Sequence, residues 1–155
     1  MNVLYLDDDD NARAAFVDWV KAMPDLDVKI TPVSNLVDFH SMIFEEGEEF
    51  DKYILDLNII TPPDIPEDVY DDWLREIGIT EQTLLMNRIP IIGLDYLNKV
   101  MREKEPTKRQ IDKVLLKTGY KDLLLQENMR YLPAKLLNKG DKNYLDVVKS
   151  FLKKN

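Results

Sequence analysis

Val3-Leu4-Tyr5-Leu6-Asp7-Asp8-Asp9-Asp10 sets the reading of the whole chain. Four apolar residues form a run too short for a helix, and it stops at four consecutive carboxylates. A short continuous apolar run of this kind suits a strand buried on both faces, with its C-terminal end opening onto an acidic loop. From Asn11 the period changes. Ala12, Ala15, Phe16, Trp19, Val20 and Met23 fall on one helical face, and Pro24 closes the segment. Tyr53-Ile54-Leu55-Asp56-Leu57 repeats the theme as the clearest strand in the sequence, interrupted only by Asp56. A carboxylate inside a buried strand costs several kcal/mol unless it is paired, hydrated or bound to a cation, so a fold that keeps one has a use for it.

Between and beyond these two stretches the chain alternates strand and helix. Val28 to Val33 reads as a weak strand, Ser34 or Asn35 as a cap, and Leu36, Phe39, His40 and Ile43 as a helical stripe ending near Gly47. His40 lies on that apolar stripe and reads as a packing residue, because no second histidine exists to share a metal. Ile59 to Pro66, with three prolines, is a loop; Val69, Trp73, Leu74 and Ile77 predict a helix stopped at Gly78. Ile89 to Leu94 reads as a fourth strand, again ending in an acid, Asp95. Leu97, Val100 and Met101, then Ile111, Val114, Leu115 and Thr118, give helical stripes on either side of Pro106. Either Leu123 to Leu125 or Met129 to Ala134 is the fifth strand, and Asp141 or Asn143 starts a last helix with Leu145, Val148, Phe151 and Leu152.

The 155 residues, 45% hydrophobic and 32% charged, suit one domain with a real core. No run approaches the length of a membrane span and the N-terminus lacks a signal-peptide pattern, so the expectation is a cytoplasmic protein without membrane contact. The absence of Cys excludes disulfides, thiolate zinc sites and Cys nucleophiles; the single His argues against poly-His metal sites and Ser-His-Asp hydrolysis. A metal here is held by oxygen. The net charge of −8 is divided unequally: residues 1–98 carry 22 acidic against 6 basic side chains, residues 99–155 carry 7 against 15. The basic side chains are scattered among acids, which disfavours nucleic acid as a partner.

Alternating short strands and helices predict a mainly parallel α/β sheet, and such sheets place ligands at the carboxyl ends of their strands. Asp7 with Asp8, Asp56 and Asp95 all fall at such ends. Carboxylates converging there without His or Cys suit a hard cation such as Mg²⁺, which takes a few carboxylates and keeps positions for a phosphoryl group.

At this point the chain resembles a known family. Val3 to Arg13 looks like the first strand and acidic pair of the receiver domains of two-component response regulators, and Phe50 to Leu57 looks like their third strand with its phosphoacceptor. Ile89-Pro90-Ile91-Ile92-Gly93-Leu94 resembles the fourth strand. The resemblance implies a flavodoxin-like, doubly wound, five-stranded parallel sheet in three α/β/α layers. Insertions fall around residues 60 to 87 and 100 to 128, and residues 1–155 form one receiver-like domain without an output domain. It implies Asp56 as the residue that accepts a phosphoryl group, and Mg²⁺ held by Asp7, Asp8, Asp56 and the backbone carbonyl of Asn58. It further implies a signalling protein rather than an enzyme, with a sensor histidine kinase or phosphotransfer protein upstream and a protein target downstream.

The family's fifth-strand lysine has two candidate positions. Gly119 to Leu125 imitates the approach to that strand but leads to Gln126, whereas Tyr131-Leu132-Pro133-Ala134-Lys135 supplies a lysine, so the assignment is Lys135. Asp95 stands where the family has a Ser or Thr hydroxyl, and an ionised carboxylate there repels a phosphoryl group. That departure keeps open a second reading, a phosphorylation-independent pseudo-receiver acting as an interaction module. A third, more remote, reading is a haloacid-dehalogenase-like phosphatase, suggested by Asp7 and Asp9 two residues apart and by Gly140-Asp141.

Overall fold

The structure is a computed structural model; it describes residues 1–57, 64–79, 96–97, 113–119 and 135–153. Five strands, β1 (Asn2–Leu6), β2 (Lys29–Val33), β3 (Lys52–Asp56), β4 (Val114–Thr118) and β5 (Lys135–Asn138), form one sheet in the order β2-β1-β3-β4-β5. All four pairings are parallel. Helices α1 (Asp10–Lys21), α2 (Leu36–Phe44), α3 (Glu67–Glu76) and α4 (Tyr144–Lys153) complete the described elements. This is the doubly wound order, with the direction of winding reversing between β1 and β3, where a crevice opens beyond the strand ends.

The period of two in each strand sends alternate side chains to opposite faces. Val3, Tyr5, Ile54, Leu115 and Leu137 face one core with Phe16 and Val20 of α1 and Val148 and Leu152 of α4. Leu4, Leu6, Tyr53, Leu55, Val114 and Leu116 face the other with Leu36 and Phe39 of α2 and Tyr70 and Leu74 of α3. Strands β3 and β4 are buried along their whole length and β1 from Val3 onward, which explains why they read as nearly unbroken apolar runs. Pro32 sits in β2 opposite Tyr5, tolerated because β2 is an edge strand.

Local signals set the helix ends. Asp9 caps α1, its carboxylate accepting from the backbone N–H of Asn11 and Ala12 at 2.9 Å each, and Asn35 caps α2 by accepting from Asp38 N–H at 2.9 Å. Gly78, just past α3, has φ 96°, a conformation that favours glycine. Within α3 the buried pair is Tyr70 and Leu74, while Val69, expected on the inner stripe, is 50% exposed. His40 is buried as a packing residue, with Nδ1 3.0 Å from Tyr96 Oη and its ring against Phe44 and Trp73.

The second half departs from expectation. Val114 to Thr118, read as a helical stripe, is the strand paired with β3. The i, i+3, i+4, i+7 spacing of Ile111, Val114, Leu115 and Thr118 is satisfied by chance when every residue of a short strand is buried. Strand β5 begins where the expected fifth strand ends, at Lys135. The expected strand Ile89 to Leu94, both stretches first weighed for the fifth strand, and the helical stripe following Leu97 lie outside the described residues.

Candidate functional site

The same alternation that builds the α1/α4 core also builds a charged cluster at its rim. Two residues beyond Tyr5 in β1 is Asp7; two beyond Ile54 is Asp56; two beyond Leu115 is Lys117; two beyond Leu137 is Lys139. The last apolar side chain of each of these strands on that face is therefore followed by a charged one at the carboxyl end of the sheet. Oxygen atoms of Asp7, Asp8 and Asp56 all lie within 4.8 Å of one another. Asp7 is fully buried and Asp56 is 1% exposed.

Two lysines hold these acids. Lys139, on the turn after β5, pairs with Asp56 Oδ2, and its backbone N–H donates to Thr118 O at 2.8 Å. Lys117 in β4 is itself only 3% exposed. Its ammonium donates to Asp7 Oδ2 at 3.0 Å and to Tyr5 Oη at 2.6 Å, and the Tyr5 hydroxyl donates to the same Asp7 oxygen at 2.6 Å. The Lys117 nitrogen lies 4.5 Å from the centre of the Tyr5 ring and 5.3 Å from that of Phe16. Asp7 Oδ1 accepts from Asp9 N–H at 3.1 Å, and Arg13 Nη1 donates to the Asp7 carbonyl at 2.8 Å.

Burial alone raises the Asp7 pKa, but the Lys117 charge, hydrogen bonds from Tyr5 and Lys117, and the charge of Lys139 together hold the carboxyl below its ordinary value. Burial pulls the Lys117 ammonium below its usual range by more than Asp7 and Asp56 restore. Burial, with Asp7 beside it, raises the Tyr5 hydroxyl far above the ordinary phenol value, so this hydroxyl remains a donor at every physiological pH. A cavity of about 370 Å³ opens beside the cluster between α1 and α4, lined by Asp7, Phe16, Trp19, Lys117, Lys139 and Tyr144 among others.

The residues expected from sequence are distributed as follows. Asp7, Asp8 and Asp56 come together. Lys135 begins β5, its backbone paired with Leu115, four residues and about 13 Å of strand before Lys139. The lysine on Asp56 is Lys139. Asn58 and Asp95 lie outside the described residues, and the residue that ends the strand beside β3 is Thr118, a buried hydroxyl. Asp9, needed by the phosphatase reading, gives its side chain to the cap of α1. Lys117 and Lys139 were not anticipated. An oxygen-only cluster of three carboxylates fits a hard divalent ion such as Mg²⁺; Asp7, Asp8 and Asp56 are the residues that would hold it.

Among solved structures the chain is similar to RcsB from Salmonella enterica serovar Typhimurium, solved bound to promoter rprA in the presence of the phosphomimetic BeF3⁻. The TM-score is 0.59 at 13% identity, covering 99% of this chain and 68% of that one. The likeness shows a shared fold, the flavodoxin-like, doubly wound parallel sheet described above. Weaker likenesses are to the receiver domain of the hybrid histidine kinase CckA and to the response regulator TrrA from Thermotoga maritima in complex with Mg²⁺-BeF. The first has TM-score 0.45 at 18% identity, covering 99% of this chain and 100% of that one; the second 0.48 at 15%, covering 97% of each. Neither a protein-family model nor a curated protein matches the chain. Among the described residues, no helix is long and apolar enough to cross a membrane.

Proposed function

We propose that this receiver-fold chain is a signalling protein in which Asp56 accepts a phosphoryl group while Asp7, Asp8 and Asp56 hold Mg²⁺. The supporting observation is the meeting of three carboxylates at the sheet's switch point with Lys139 on the central one. A carboxylate oxygen of Asp56 attacks the phosphorus of an activated donor, a phosphohistidine or an acyl phosphate. The new bond joins that oxygen to phosphorus, and the bond from phosphorus to the donor breaks with its electron pair leaving on the donor. Mg²⁺, when bound, neutralises charge on the transferring phosphoryl oxygens. Lys139, released from its pairing with the free carboxylate, supplies a cation to a phosphoryl oxygen from the opposite side. Thr118, ending the strand beside Asp56, supplies a hydroxyl at the rim in place of the repelling carboxylate expected from Asp95. A sensor kinase or phosphotransfer protein upstream and a protein target downstream complete the reading.

The test is intact mass after incubation with acetyl phosphate and Mg²⁺, on the wild type and on Asp56→Asn. One added phosphoryl group on the wild type and none on Asp56→Asn is the expected result. Equal uptake by both, or uptake by neither, refutes the assignment. Uptake by neither supports a phosphorylation-independent interaction module. That second reading is favoured by the pairing of Asp7 with Lys117 and of Asp56 with Lys139, which balances two of the three acids from within the protein.

A further inference from the structure

Lys117 has no part in the phosphoryl transfer just described, and a lysine in the middle of a parallel sheet is costly to bury without a strong partner. It is placed by β4 on the α1/α4 face, opposite Asp56 in register. Its nitrogen contacts Asp7 Oδ2 and Tyr5 Oη, walled by the rings of Tyr5 and Phe16. Tyr5 donates to the same Asp7 oxygen, so that oxygen carries two buried donors, one of them a full positive charge. Asp7 belongs to the carboxylate cluster within 4.8 Å. A divalent ion shared by these acids would therefore lie within a few ångströms of a fixed ammonium.

We propose that Lys117, buried against Asp7 beside the three-carboxylate cluster, is a resident cation of the site that neutralises Asp7 when no metal is bound and weakens the binding of Mg²⁺. The inference rests on the acidic cluster being a Mg²⁺ site. Three carboxylates with Lys117 and Lys139 carry a net charge of −1 rather than −3, so a second cation meets both a reduced attraction and direct repulsion from the ammonium. Lys139 sits on an exposed turn and can swing away from Asp56; Lys117, rooted in a central strand, cannot leave without exposing its stem and vacating its contacts with Tyr5. The protein thus has a metal-free state in which most of the rim's negative charge is already offset from within. Mg²⁺ becomes a ligand that must rise to a threshold concentration rather than a permanent occupant.

The experiment is a calorimetric and Trp19-fluorescence titration of the full chain with MgCl₂, Trp19 lining the same cavity as Asp7 and Lys117. Wild type is compared with Lys117→Gln, which keeps polar contact with Tyr5 but no charge, and with Lys149→Gln. Lys149 pairs with Asp25 on the surface and controls for net charge. Lys117→Gln is expected to bind Mg²⁺ roughly tenfold or more tightly, with Lys149→Gln matching the wild type. Should Lys117→Gln fail to fold, the wild type alone decides. The ¹³C resonance of the Lys117 Cε carbon is expected to move during the Mg²⁺ titration with the same midpoint as the Trp19 signal. Equal affinities of wild type and Lys117→Gln, or a Cε resonance that ignores bound Mg²⁺, overturn this inference and leave the metal site standing. No Mg²⁺ binding by either protein overturns both.

Discussion

The pairing of Asp7 with Lys117 makes a quantitative demand on stability. Their side chains are 0% and 4% exposed, 3.0 Å apart, and share Tyr5 as a third partner. Lys117→Met leaves the Asp7 carboxylate buried with, among the described residues, the Tyr5 hydroxyl and the Asp9 N–H on its oxygens, and removal of one member of a buried pair costs about 3–5 kcal/mol. Asp7→Asn leaves the ammonium to Tyr5 and two aromatic rings, at a comparable cost of about 2–4 kcal/mol. Asp7→Asn combined with Lys117→Met removes the buried charges together, and the double variant is expected within about 2 kcal/mol of wild type. The coupling energy is then about 3 kcal/mol or more, a large share of the roughly 5–15 kcal/mol that stabilises a domain. Urea unfolding followed by circular dichroism in EDTA, with constant m-values, measures all four proteins. A buried pair is also little screened, so the coupling is expected to survive at high salt. Single-variant costs that add to within about 0.5 kcal/mol in the double variant would refute the reasoning.

Asp9→Ala removes two cap hydrogen bonds from α1 and is expected to cost about 1 kcal/mol in the same assay. Leu74→Ala, at a fully buried position where α3 meets the sheet, is expected to cost about 2–5 kcal/mol. Stability is also expected to depend on acid through Asp7, whose folded-state pKa lies below its unfolded value. Its contribution is fully present above the unfolded value of about 3.9 and is lost as pH falls through the lower folded one. Urea midpoints taken from pH 6 downward are expected to fall less steeply in Asp7→Asn than in wild type, and parallel curves would contradict this.

The N-terminal half of the fold was legible because each of its signals is local. The apolar run ending in Asp7, the caps Asp9 and Asn35, and the stop at Gly78 each act within a turn or two of themselves. Asp56 was legible because a charge inside an apolar strand demands an explanation. The same demand was present in Val114-Leu115-Leu116-Lys117-Thr118. It went unanswered because that stretch also fits a helical stripe, on which a lysine is an ordinary surface residue. Lys135 was chosen over the position of Gln126, and Lys139 was not considered, because a strand's end was judged from composition, whereas the sheet register sets it: Thr118 pairs with Asn138, so Lys139 is the residue that follows at the rim. Which residues of two distant strands stand opposite one another is settled only when both are paired, the alternation within each strand giving only the face.

Alternation then accounts for which charged residues meet. Tyr5 and Asp7, Ile54 and Asp56, Leu115 and Lys117, Leu137 and Lys139 are each two apart, and the first of each pair is a core residue of the α1/α4 face. Burying those four apolar side chains fixes the orientation of four strands, and the next residue on the same face of each must then leave the sheet on the side of α1 and α4. Thr118, one step out of phase with Lys117, follows Leu116 toward the α2/α3 face. The acids and their counter-ions are therefore collected by hydrophobic packing below them, and their electrostatics has only to select the rotamers. Lys139 thus meets Asp56 on the α1/α4 side, while alternation sends the buried Thr118 hydroxyl to the opposite side of the sheet.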